Sequence, residues 1–138
     1  MGLDMYLEKE KSYYSERPSV EGFEGCESLT VYGTILYWRK ANQIHNWFVS
    51  NIQENKDNCE RYYVSHDNIK KLRDIINTVL ENNEEAATYL PTQKGFFFGG
   101  TDYNEYYFAE LKRTKESLDE IIKDKNFKQY HYYYRSSW

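Results

Sequence analysis

The sequence predicts an α+β domain, with three helices packed on a small, mostly antiparallel sheet. Two patterns carry that expectation. Segments at both ends alternate in the manner of half-buried strands, and three longer segments repeat apolar residues at the three- and four-residue steps of a helix face. With 138 residues and 40% hydrophobic content, the chain is most simply one domain, 1–138. Its apolar material is unusually aromatic, at 15 Tyr, 7 Phe and 3 Trp. Tyrosine joins an apolar ring to a polar tip, so many of these rings suit the rim of a core or a contact surface.

Leu3, Met5 and Leu7 alternate with Asp4, Tyr6 and Glu8, which reads as a strand starting almost at the first residue. Lys9 to Tyr14 extends it as a charged edge. Ser15 to Glu27 holds Pro18, Gly22 and Gly25 among Glu16, Glu21, Glu24 and Glu27, the composition of a surface loop. Ser28 to Leu36 is expected to be a second strand with Leu29, Val31, Gly33 and Ile35 on one face. From Tyr37 the spacing predicts a helix, with Tyr37, Ala41, Ile44, Phe48 and Ile52 as its apolar stripe. Beside that stripe runs a row of Trp38, Asn42, His45 and Val49. An aromatic, an amide and an imidazole at a core boundary are either hydrogen-bonded into the fold or turned toward a pocket.

Gln53 to Glu60 reads as a turn and Arg61 to Val64 as a short strand. Ser65 is placed as the cap of a second helix whose buried face holds Ile69, Leu72, Ile76, Val79 and Leu80. Asn82-Asn83 weaken that helix, and Pro91 closes the segment. Phe96-Phe97-Phe98, bracketed by glycines, forms a short buried strand or an aromatic loop. Asp102 and Glu105 fit a capping box that opens a long third helix through about Lys125. Tyr130 to Trp138 alternates and is rich in β-formers, so it reads as the last strand, with Trp138 packed.

Composition excludes several functions. The net charge of −4 disfavours general coating of DNA or RNA, though a local cationic pocket remains open. No apolar run approaches the roughly 18–20 residues that span a bilayer, and no signal peptide precedes the first strand, so a cytoplasmic location away from membranes is expected. Cys26 and Cys59 have no zinc-like spacing and read as free thiols. The sequence contains no GxSxG, no glycine-lysine phosphate loop and no HExxH. Gly99-Gly100 is a weak phosphate cradle, because Asp102 as cap would occupy the nearby donors and repel an anion. His66 is expected to be exposed. A metal site from His45, His131 and Asp4 is the weaker reading of the histidines, so neither a metal nor a cofactor is assigned.

The candidate ligand-binding residues are Trp38, Arg39, Lys40, Asn42, His45, Phe96, Phe97, Phe98 and Arg135. Aromatic faces stack on a base while arginine forks onto phosphate, which suits a nucleotide-type molecule. The same tyrosines and arginines also suit protein–protein contact, a homo-oligomer included.

The opening Met-Gly-Leu-Asp-Met-Tyr-Leu, the central Tyr37-Trp38-Arg39-Lys40-Ala41-Asn42 with Ile44-His45 and Trp47-Phe48-Val49, and Tyr62-Tyr63-Val64-Ser65 form one set of motifs. Leu90-Pro91-Thr92-Gln93, Gly95-Phe96-Phe97-Phe98-Gly99, Thr101-Asp102-Tyr103 and the closing Arg135-Ser136-Ser137-Trp138 complete it. In these the chain resembles a family of small uncharacterised proteins of bacteriophages and prophages. The resemblance spans nearly the whole chain and implies a context rather than a mechanism. That context favours a non-enzymatic accessory protein acting by binding, for instance by antagonising host antiviral defence, and the residues above suit sequestration of a nucleotide-type signal. The alternatives are an inhibitor that binds a host nuclease or CRISPR effector, and a small phosphodiesterase-type enzyme using a histidine.

Overall fold

The computed structural model describes residues 2–138. Ten elements follow one another as β1 (Asp4–Tyr13), β2 (Leu29–Arg39), α1 (Asn42–Asn51), β3 (Tyr62–Val64), α2 (His66–Glu81), a 3-10 turn (Asn83–Glu85), α3 (Ala86–Tyr89), α4 (Glu105–Lys123), a second 3-10 turn (Phe127–Gln129) and β4 (His131–Ser137). The strands form one antiparallel sheet in the order β2-β1-β4-β3. The α+β class holds, with a fourth helix added: the single turn α3, too short to show a periodic pattern.

Alternation running from Leu3 into β1 places Leu3, Met5 and Leu7 in the core with no exposure. The expected edge is confined to Lys11–Tyr13, whose side toward β4 is unpaired beyond Glu10. β1 lies between β2 and β4, and its Lys9–Tyr13 half pairs with Leu29–Gly33. Lys9 tolerates its interior position because its ammonium group rests on a tyrosine ring, 4.4 Å from the Tyr130 centroid.

The second strand begins where the sequence places it but runs on to Arg39, so Tyr37, Trp38 and Arg39 are strand residues and the helix starts at Asn42. A β-bulge explains the difference. Leu7 pairs with Leu36 and Glu8 with Thr34, leaving Ile35 without an opposite number. That extra residue shifts the parity, so Leu36 and Trp38 continue the core face instead of Ile35 alone. The broken alternation, together with Trp38 standing four residues before Asn42, imitates a helical row.

Lys40 makes the corner between β2 and α1 with φ of 56°, the left-handed region that a lysine adopts only at a cost of about 1 kcal/mol. Its N–H donates to Leu3 O at 2.7 Å, which pins the corner to the start of β1.

The helices cover one face. Trp38 Nε1 donates to Thr114 Oγ1 of α4 at 2.8 Å, and Phe48 of α1 stacks on Tyr134 of β4 with ring centres 3.8 Å apart. Ser65 caps α2 by accepting from Asn68 N, and Ile69, Leu72, Ile76 and Val79 enter the core as expected, with Leu80 at its margin. α4 is capped by Asn104, whose side chain accepts from Tyr106 N and Tyr107 N; the expected Asp102 cap lies two residues too early. His66 is half-buried rather than exposed, with Nε2 against Tyr130 O at 2.8 Å. Among the described residues no helix is long and apolar enough to cross a membrane. Both cysteines are free.

Candidate functional site

The predicted row of Trp38, Asn42 and His45 is hydrogen-bonded into the fold. His45 has no exposure; its Nδ1 lies 2.6 Å from the Tyr134 hydroxyl and its Nε2 lies 3.0 Å from both Asp57 carboxylate oxygens. Burial lowers the His45 pKa, and the opposing pull of Asp57 does not restore it. The neutral ring therefore donates from Nε2 to Asp57 and accepts at Nδ1 from Tyr134 O–H. Trp138 Nε1 donates to the same carboxylate at 3.1 Å, and its ring meets Phe98 edge-on. Trp138 is thus fastened, though 46% exposed. This chain of bonds resembles a catalytic relay in composition, but the Tyr134 hydroxyl at its end is sealed in the core, with its pKa raised well above 10 by burial.

Asn42 is a clamp. Its side-chain amide donates to Phe98 O at 2.9 Å and Gly100 O at 2.8 Å, while its oxygen accepts from Gln93 N at 2.9 Å. One side chain so holds both limbs of the aromatic loop, which is a loop and not a strand. Within it Phe98 is buried, Phe97 half-buried and Phe96 95% exposed.

Clamping that loop against α1 leaves a cleft of about 520 Å³ beside it. The corner residues Arg39, Lys40 and Ala41, the first turn of α1 (Asn42, Gln43) and the start of α4 (Tyr106, Tyr107, Glu110, Arg113) form its walls, with Thr92, Gly100 and Asp102 closing one end. The first turn of α1 has Ala41 at its cap, no side-chain cap bond and no acidic residue. That helix end borders the cleft without a side-chain cap, and Asp102 and Glu110 are the acids of the same lining. Arg39 is half-exposed and pairs with Asp4 at 3.3 Å; Arg113 pairs with Glu110 at 2.6 Å and donates to Tyr37 O. Among the described residues Lys40 makes no ion pair. Tyr106, 76% exposed, supplies a flat face at the rim.

Of the sequence candidates, Arg39, Lys40 and Asn42 meet at this cleft, and Trp38, His45 and Phe98 lie in the core behind it. Phe96 and Phe97 stand on the loop outside the lining. Arg135 does not line the cleft; it lies on the sheet face without helices, the face on which Arg39 meets Asp4. Arg113, Tyr106 and Gln43 were not distinguishable in the sequence, because a cleft formed by three distant segments leaves no local motif. His45, His131 and Asp4 are not brought together, and no group of three metal-ligating side chains occurs among the described residues.

The face of the sheet without helices carries a second arrangement. Arg61 lies on the Tyr133 ring at 3.7 Å and Arg135 on the Tyr6 ring at 4.0 Å. Between them Glu8 accepts from Arg61 Nε at 2.8 Å and Arg135 Nε at 3.0 Å, and is only 2% exposed. Burial alone would raise the Glu8 pKa, but the two guanidinium groups outweigh it and hold the carboxyl below its ordinary value. This face is internally neutralised, and its cations are already engaged.

No family model matches the chain, and no curated protein or solved structure is significantly similar to it.

Proposed function

We propose that this protein acts by binding, and that its ligand is a small nucleotide-type anion held in the cleft between the β2–α1 corner and α4. The observation that carries this reading is the uncapped first turn of α1 meeting Lys40, Arg39 and Arg113 at one hollow. A phosphate there accepts from helix N–H groups and takes charge from the lysine and arginines, while Tyr106 offers a ring for a base to stack on. The acids of the lining favour a compact, partly screened anion over a long nucleic acid, in keeping with the net charge of −4.

The resemblance to small phage proteins gives this binding a purpose, the withdrawal of a nucleotide signal from host defence in the cell's cytoplasm. The Tyr- and Arg-rich sheet face supports the second reading, a protein that blocks a host defence nuclease or effector by direct contact, since those residue types dominate protein interfaces.

Isothermal titration with ADP and with inorganic pyrophosphate tests the first reading. The parent protein is expected to bind at least one of them, with affinity reduced about tenfold by Arg39→Ala. Absence of heat from both probes at millimolar concentration, alongside a salt-sensitive complex with a host protein, favours the second.

A further inference from the structure

We infer that the protein pairs with a second copy of itself through the outer edge of β2, joining two four-stranded sheets into one. β2 lies at the end of the sheet order, with β1 on its only hydrogen-bonded side. Its C-terminal part is closed by α4, because Arg113 donates to Tyr37 O at 2.8 Å. Upstream of the bulge at Ile35 the edge is open. Thr30, Val31, Tyr32, Gly33 and Thr34 are five consecutive exposed residues, so neither face of the strand is covered there. A strand that only lined the core would bury every second one of them.

This edge lacks the usual protection against pairing. From Leu29 to Trp38 it contains no Lys, Arg, Asp, Glu or Pro, and it runs for eleven residues with Arg39 included. Natural edges of such length are normally guarded by charge, proline or a covering segment. The bulge guards only the stretch beyond Thr34.

Gly33 leaves this edge without a side chain that would crowd an approaching backbone. A β-carbon at Gly33 would meet nothing within 4 Å, and its φ lies outside the left-handed region. Neither crowding nor conformation within the monomer demands glycine, although glycine weakens a strand interior. Glycine inside a strand accompanies a bulge, here the one at Ile35, or the close approach of another chain's backbone.

The residue order selects a second copy as that chain. Antiparallel pairing centred on Tyr32 sets Tyr32 against Tyr32, Val31 against the other copy's Gly33, and Thr30 against the other copy's Thr34. An aromatic pair, two β-branched side chains each covering a glycine, and two threonine pairs are favourable cross-strand combinations, and no like charges meet. Beyond the paired residues, the antiparallel direction carries the acidic loop ending at Glu27 toward the far end of the other β2, where Arg39 and Arg113 stand. The paired stretch is short, which fits a weak, reversible dimer rather than a permanent one.

Sedimentation velocity of the full chain between about 5 and 300 µM decides the matter, with Val31→Lys and Thr34→Lys as separate variants. Both side chains are exposed, so circular dichroism and melting temperature serve to show that each variant folds as the parent does. The expected result is a concentration-dependent dimer for the parent and at least a tenfold weaker one for either lysine variant. A parent that stays monomeric throughout, or a dimer that survives substitution in a folded variant, overturns the proposal.

Discussion

Arg61 lies flat on Tyr133, its guanidinium carbon 3.7 Å from the ring centre, while its Nε bonds the Glu8 carboxylate at 2.8 Å. The strand alternation of β1 assigns Glu8 to the face without helices, where a glutamate is ordinarily solvated. Arg61 and Arg135 close over it instead, each supported on a tyrosine, so a carboxylate is buried on an open face. Stacked guanidinium groups are weakly hydrated and already ordered, which lowers the cost of holding this network together.

Glu8→Ala leaves two cations facing a vacated site. Because both arginines are partly exposed, solvent screens the loss, and the expected destabilisation is about 1–3 kcal/mol. Urea denaturation measures it. Destabilisation near zero places the weight of this face on its tyrosines.

Two depressed pKa values make stability fall in acid, in separate windows. Folded His45 resists protonation that the unfolded chain accepts below about pH 6.5, so stability decreases as pH falls from there, by no more than about 1.4 kcal/mol per pH unit for one proton. Glu8, also depressed, contributes fully above about pH 4.5 and loses its contribution as pH drops further. Urea midpoints from pH 8 to 4 are expected to show the first decline, and His45→Gln to flatten it between pH 7 and 5.

Tyr134→Phe removes the donor that satisfies His45 Nδ1 inside the core. The cost is about 1–3 kcal/mol, since the buried acceptor is left without a partner. Chemical denaturation reads that loss, and an unchanged ADP affinity in the same variant separates this network from the cleft.

Asn42→Ala frees Gln93 N, Phe98 O and Gly100 O together. The expected loss is about 2–4 kcal/mol, and amide exchange at Gln93 is expected to accelerate before exchange in α2 does. Equal acceleration in both shows that the loop and the core open as one unit.

Much of the fold was legible because its signals are local. The Leu3-Met5-Leu7 alternation, the Ser65 cap with its apolar face behind it, and the β-formers of Tyr130 to Trp138 each lie within one segment. The helix assigned from Tyr37 failed at a bulge, where one extra residue, Ile35, shifted a strand's parity and left Trp38 at helical spacing from Asn42 and His45. Asn104 displaced Asp102 as the α4 cap because both precede the same apolar run. At the candidate site, Arg39 and Lys40 were legible as cations beside the corner. Arg113 and Tyr106 were not, since only tertiary packing brings α4 to that place.

Lys40 links the strained corner to the proposed ligand. Lys40→Gly removes the cation and relieves a left-handed φ, while giving up the contacts of its side chain beside Gly2 and Gly99. Unfolding free energy is expected to stay within about 0.5 kcal/mol of the parent while anion affinity drops about fivefold or more. Thermal melts together with titration calorimetry read both quantities.

The most direct measurement is an amide NMR titration of the full chain with ADP. Concentration-dependent shifts are expected at Lys40, Asn42 and Gln43 and along the first turn of α4, with the Glu8–Arg61 face unmoved. Shifts confined to that sheet face, or none at ligand concentrations of about 10 mM, contradict a nucleotide-type anion in the cleft.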